Sequence, residues 1–172
     1  MSISMYRVAV PPLLQILKGL SIVLDKAAAH CEQRKIDPAV LLTMRLYPDM
    51  FTTTRQVQIA TDQAKGCVAR LAGVEVPVYA DDETSFAELK ARVAKTTDFV
   101  KSFPPERIDG SETKEITLTI GGRTLNFDGQ TYLVNFVLPN FYFHAATTYG
   151  ILRHCGVEIG KRDYLAAPEE AR

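Results

Sequence analysis

The sequence predicts a mainly α-helical protein, an up-down four-helix bundle that carries a β-hairpin before its last helix. Apolar residues recur at spacings of three and four through four long segments, as in amphipathic helices. Between the third and fourth segments, apolar and polar residues alternate on both sides of Gly121-Gly122, which predicts a hairpin with a tight primed turn. Short connections between the long segments favour a bundle over separate domains.

Length and charge limit the classes of protein that need to be considered. The chain has 172 residues, 47% of them apolar, so we expect residues 1–172 to form a single globular domain. Its 20 basic and 20 acidic residues cancel. A neutral chain without a basic run has no strong attraction for nucleic acid, and we expect no nucleic-acid partner.

The cysteines and the N-terminus indicate a cytoplasmic protein. Cys31, Cys67 and Cys155 are odd in number and widely spaced, and no CxxC motif occurs, which fits a reducing compartment. The N-terminus lacks the charged start and cleavage site of a signal peptide. No run of about twenty apolar residues without charges is visible, so we expect no membrane span.

The first long helix is predicted from Tyr6 or Pro11 to Gln33, because Pro11 either starts the helix or kinks its first turn. Asp37-Pro38 then predicts a short helix over Ala39–Met44, since a capping residue followed by proline is a good helix start.

The second long helix is predicted from about Pro48 to Leu71, with Gly73 as its end. Polar residues at helical spacing run along it. They form either a solvated face or the partner of a polar row in the last helix. We interpret them as solvent-facing, because amphipathic helices normally have such a face. The row consists of Asp49, Thr53, Gln56 and Gln63.

The third long helix begins after a loop over residues 74–82, at the capping box formed by Ser85 and Glu88. Pro104-Pro105 stops it. The hairpin is predicted at about residues 114–127.

The last helix starts at the capping residue Asp128 and ends at Gly156, and the tail of about residues 157–172 is expected to pack only in part. Pro139 lies inside this helix and predicts a kink, or a break with a fresh helix starting near it. The aromatic residues of this segment are predicted to pack in the core. They are Phe136, Phe141, Tyr142, Phe143 and Tyr149.

Polar residues on this apolar helix mark the candidate site. Asn140, His144 and Thr147 or Thr148 fall at helical spacing and therefore share one face. Such a row needs buried partners or water. It could form the floor of a small-molecule site.

Three segments together resemble a bacterial and fungal family of unknown function that belongs to the DinB/YfiT-like four-helix-bundle superfamily. They are residues 46–51 (LYPDMF), 124–130 (TLNFDGQ), and 141–144 (FYFH) with 151–161 (ILRHCGVEIGK). The resemblance covers nearly the whole chain. It implies a DinB-like bundle that is often a homodimer. It also implies a divalent metal, nickel or zinc, held by one histidine of the second long helix and two of the last.

The chain departs from that ligand pattern. Counted along the resemblance, the pair in the last helix falls on Asn140 and His144, and the third position falls near Gln56. Only His144 is a histidine, and an amide oxygen is a poor ligand for zinc or nickel. We therefore expect the metal site to be lost or altered. A surviving site would combine His144 with Asp49 or Asp62, the nearest acids.

These observations favour a small-molecule pocket between the second and last long helices. A proton shuttle between His144 and Asp49, or a buried network of Asn140, Gln56 and His144, would fit the same residues. Two other functions remain open: a metal-dependent hydrolase or thiol-dependent transferase, and a non-catalytic dimeric interaction protein. The candidate pocket residues are His144, Asn140, Gln56, Asp49, Thr148, Tyr142 and Tyr149.

Overall fold

The computed structural model describes residues 4–166, which fold mainly into helices with one small hairpin, as the sequence predicts. The helices before the hairpin are α1 (Met5–Arg34), α2 (Pro38–Thr43), α3 (Thr53–Ala72), α4 (Phe86–Lys101) and α5 (Pro105–Ile108). The hairpin consists of β1 (Glu115–Ile120) and β2 (Arg123–Asp128). After it come α6 (Gly129–Thr131), a π-helical turn (Tyr132–Val137), α7 (Leu138–His154) and α8 (Lys161–Tyr164).

Four long helices enclose the core. Helix α1 packs against α4 and α7, and α3 packs against the same two helices, so that each long helix has two neighbours. Leucines of α1 at spacings of three and four are fully buried at the centre: Leu13, Leu17, Leu20 and Leu24. The pair α3 and α7 therefore forms one wall of the molecule, and the candidate site lies on that wall.

Helix α1 begins at Met5, after the capping residue Ser4, and matches the longer of the two predicted ranges. Pro11 lies inside it and does not start it. This helix is also long and apolar enough to cross a membrane by length and composition alone. Its apolar stripe is packed in the core here, and a core helix passes the same test.

The predicted start of the second long helix is wrong. Helix α3 begins at Thr53, because the Thr52 side chain accepts the backbone N–H of Arg55 and caps the helix there. The Met44 carbonyl also accepts from the backbone and hydroxyl of Thr53. Asp49 consequently lies on an exposed loop over residues 44–52 and not on the helix.

The polar row of α3 does not face solvent, which corrects a second expectation. Thr53 and Gln56 are 0% and 1% exposed, and Gln63 is half-buried. An amphipathic pattern shows which residues of a helix point away from the apolar core. It does not show whether those residues meet water or the polar residues of a neighbouring helix.

The connection between α3 and α4 is an extended segment over residues 74–84, named the strap below. Helix α4 starts with the predicted capping box, in which the Ser85 hydroxyl accepts from Glu88 and the Glu88 carboxylate accepts from Ser85.

The hairpin is confirmed. Ile120 pairs with Arg123 across the turn, and Gly121 and Gly122 adopt φ values of 56° and 77°, the left-handed conformation that a primed turn requires. Ile116 and Leu118 face the core.

Proline in the last helix is accommodated without a break. Pro139 has no N–H for the Asn135 carbonyl. The preceding π-helical turn lets the Leu138 N–H donate to Leu133, five residues back. The Asn140 side chain then donates to the Phe136 carbonyl at 2.6 Å. The predicted kink or break thus takes the form of a π-helical turn within continuous helix.

The start of the predicted tail packs onto α1. Gln15 donates to the Leu165 carbonyl at 3.0 Å, and Lys26 pairs with Asp163 of α8 at 2.7 Å. Gly19 provides the notch in which the backbone of Tyr164 sits. The remainder of the predicted tail, residues 167–172, lies outside the described residues.

Candidate functional site

The candidate site is built around a direct contact between α3 and α7. His144 Nδ1 and Gln56 Oε1 lie 2.6 Å apart. Both side chains are nearly buried, with Gln56 1% and His144 8% exposed. Two of the three residues implied by the family resemblance therefore meet.

A second hydrogen bond fixes how this pair is protonated. Gln56 Nε2 donates to the Phe51 carbonyl at 3.3 Å, which leaves Oε1 of the same amide facing His144. Because an amide oxygen only accepts, His144 Nδ1 must carry the proton. In a neutral imidazole the other nitrogen, Nε2, is then an acceptor with a free lone pair.

The surroundings keep this imidazole neutral. Burial, and next the positive charge of Arg55, lower the pKa of His144 below its usual 6.5. At pH 7 the side chain is therefore an uncharged ring with Nε2 unprotonated, and it can accept a hydrogen bond from a ligand.

The threonines and the asparagine of the same face are occupied within their own helix. Thr148 is fully buried and donates to the His144 carbonyl at 2.9 Å. Thr147 donates to Phe143, and Asn140 donates to Phe136. The predicted network of Asn140, Gln56 and His144 thus forms only between Gln56 and His144.

Neither of the two acids considered from the sequence, Asp49 and Asp62, forms a hydrogen bond with His144 among the described residues. Asp49 is exposed on the loop, and within residues 4–166 it forms no hydrogen bond or ion pair with His144. Asp62 faces α4 instead, where its Oδ1 lies 2.8 Å from Arg92 Nη2. The predicted proton shuttle between His144 and Asp49 is therefore wrong, because the two side chains do not meet.

The tyrosines also lie elsewhere. Tyr149 packs against Tyr164 of α8, with ring centroids 6.0 Å apart. Tyr142 precedes Tyr149 by about two helical turns and therefore lies on the same side of α7. Both residues are more than a third of a turn from His144 around α7, so they do not form walls around its ring.

An aromatic side chain that was predicted to pack in the core, Phe143, stands beside His144, and the loop before α3 carries further exposed apolar residues. The Phe143 ring contacts the His144 ring edge-on, 5.2 Å between centroids, and is 56% exposed. Phe51, whose carbonyl holds Gln56, is 54% exposed. Phe143 was predicted to pack in the core, because the sequence of an aromatic helix does not show which of its faces the other helices cover. The nearby loop adds Leu46 and Tyr47, 46% and 66% exposed.

The larger clefts lie at the hairpin. One of about 450 Å³ is lined by residues such as Gln130 and Asn135, and one of about 570 Å³ is lined by residues such as Thr117 and Asn126. Neither includes His144. The His144 face, which Phe143 borders, is separate from these two clefts.

The residues present do not fit zinc or nickel. At the three positions implied by the resemblance stand one imidazole and two amides, and the Gln56 oxygen is already bonded to His144. Within residues 4–166 no group of three or more His, Cys, Asp or Glu side chains could hold a metal ion. We assign no step to a metal at this face.

The fold defines a DinB-like helical protein. A crystal structure at 1.83 Å resolution of a DinB family member from Shewanella denitrificans is similar to it, with a TM-score of 0.85 and 40% sequence identity over 97% of this chain and 94% of that chain. Residues 5–165 match a domain of unknown function, DUF1993, and the chain belongs to this family. The resemblance seen in the sequence is thus confirmed. No match was found among curated proteins.

Proposed function

We propose that this protein binds a small organic molecule at the α3–α7 face, where His144 Nε2 accepts a hydrogen bond from the ligand. The observation that carries the proposal is the chain of hydrogen bonds from the Phe51 carbonyl through Gln56 to His144 Nδ1. It orients the ring and fixes its tautomer, as an outer hydrogen-bond partner does for a functional histidine.

The neighbouring side chains indicate the kind of molecule. The exposed Phe143 ring offers apolar contact next to the neutral acceptor, and Phe51, whose carbonyl holds Gln56, is a second exposed aromatic residue. An apolar body with one hydroxyl or N–H donor complements this arrangement, as in ligand sites where few polar groups fix orientation.

The test is an NMR titration with benzyl alcohol, which follows the Gln56 side-chain amide and the His144 ring. His144→Asn is the informative variant, because its amide nitrogen can replace Nδ1 towards Gln56 while Nε2 is lost. We expect about tenfold weaker binding, the loss of one hydrogen bond, with little change in thermal stability. The exposed His154→Asn serves as control. Unchanged binding by His144→Asn, or no response of either signal, would refute the proposal.

A second candidate is a non-catalytic homodimer that pairs through this face. The observation in its favour is the exposure of large apolar side chains, Phe143 beside His144 and Leu46, Tyr47 and Phe51 in the loop before α3. Sedimentation of the same samples separates the two functions. A dimer that Phe143→Asp dissociates, and that does not respond to benzyl alcohol, favours the interaction protein.

A further inference from the structure

Arg55 precedes Gln56 in α3, and its side chain is held both by the strap and by a residue of its own helix. Its Nη1 donates to Asp81 of the strap at 2.6 Å and to Gln58 at 3.1 Å. Asp81 has a left-handed φ of 58°, a conformation that aspartate tolerates better than most residues. The strap therefore fixes the position of the Arg55 guanidinium.

These contacts belong to a closed ring of side chains. Asp81 also binds Arg92 of α4 at 2.7 Å, and Arg92 binds Glu83 of the strap at 2.9 Å. Gln58 donates to Glu83 at 2.9 Å and so returns the ring to α3. With Arg92 only 2% exposed, the ring is anchored on a buried cation, and its members are held in place.

The ring uses only one nitrogen of Arg55. Both contacts go to Nη1, and within residues 4–166 neither Nη2 nor Nε has a partner. The side chain is 42% exposed. A guanidinium edge with two free donors binds a carboxylate through two parallel hydrogen bonds.

This edge lies within electrostatic reach of the candidate site. Gln56, the next residue, contacts His144 directly, and the charge of Arg55 is felt at the His144 ring. The neutral acceptor on His144 and the cation that the strap holds in a fixed position are thus presented by neighbouring residues of α3, Gln56 and Arg55.

We infer that the ligand of this face is a small apolar acid, which places a donor group on His144 Nε2 and its carboxylate on the free edge of Arg55. This inference depends on the proposed function, because it names the class of ligand for the same site. Arg55 is then the residue that determines the charge preference of the site.

The test compares mandelate with mandelamide, which has the same shape and hydroxyl but no charge, in NMR titrations that follow Gln56 and His144. We expect mandelate to bind about tenfold more tightly, as for a hydrogen bond to a charged group. Arg55→Gln should remove this preference, so that mandelate and mandelamide bind with similar affinities. Arg123→Gln, in the distant hairpin, makes the same charge change and should behave as wild type. Thermal melts establish that both variants are folded, and Arg55→Lys should restore part of the preference if Arg55→Gln is unstable.

The outcomes separate the two proposals. Equal affinities for mandelate and mandelamide, with both probes shifting the His144 signals, would overturn the acid preference and retain the binding site. A preference for mandelate that survives Arg55→Gln would also overturn the role of Arg55. No shift of Gln56 or His144 with any probe would overturn the binding site and the acid preference together.

Discussion

At the level of single residues, the candidate site depends on the contact between Gln56 and His144. Both fall on ligand positions implied by the family resemblance, and their contact was one of the alternatives that the sequence left open. The direction of Gln56 was not foreseen, because a polar stripe on α3 has the same pattern whether it faces water or α7. Asp49 was misplaced for a local reason: Pro48 suggested a helix start, but Thr52 provides the cap. Tyr142 and Tyr149 were misassigned because α7 is apolar on most sides, so periodicity does not identify the face that holds His144.

At the scale of elements, the helices and hairpin were predictable where capping and turn chemistry are local. Ser85 with Glu88, Asp128, and the Gly121-Gly122 turn all act within a few residues. The ring that holds the strap was not predictable, because its members come from three elements brought together only by folding. Arg92 lies close enough to the apolar stripe of α4 to be buried, and its charge is compensated there by carboxylates of α3 and the strap.

Replacing Arg92 therefore tests how the strap is attached. Arg92→Leu leaves Asp62, Asp81 and Glu83 without their shared cation, and we expect a loss of about 3 kcal/mol in unfolding free energy by urea denaturation. The matched control is Lys90→Met, which removes the exposed ion pair with Asp25 and should cost less than about 1 kcal/mol. Equal losses in the two variants would show that the buried ring contributes no more than a surface pair.

At the scale of the whole molecule, the sequence predicted the class of fold and the order of its elements. Helical periodicity and a change to alternation fix these features without knowledge of distant contacts. Two features were predicted only in outline: the kink or break at Pro139, which takes the form of a π-helical turn, and the partial packing of the tail, which is the docking of α8 on α1. The second relies on Gly19, whose missing side chain makes room for another segment of backbone.

Two helical glycines give a matched test of this docking. A Cβ at Gly19 would lie 1.9 Å from the Tyr164 carbonyl oxygen, so Gly19→Ala should displace α8 and cost about 1–3 kcal/mol. At Gly150 the nearest atom would be 3.9 Å away, so Gly150→Ala should stabilise by about 0.5–1 kcal/mol through helix propensity. Thermal melts and amide exchange of α8 measure both effects. If Gly19→Ala left α8 protected, the tight contact would not hold the segment.

The proposed ligand site requires that Gln56 present His144 as a neutral acceptor. The most direct measurement is the ¹⁵N NMR spectrum of the His144 ring between pH 5 and 8. We expect the proton on Nδ1, a free Nε2 at pH 7, and a pKa below 6.5, while Gln56→Leu should release the tautomer preference. A ring protonated on Nε2 at pH 7, or charged there, would contradict the proposal, because no lone pair would then face a ligand.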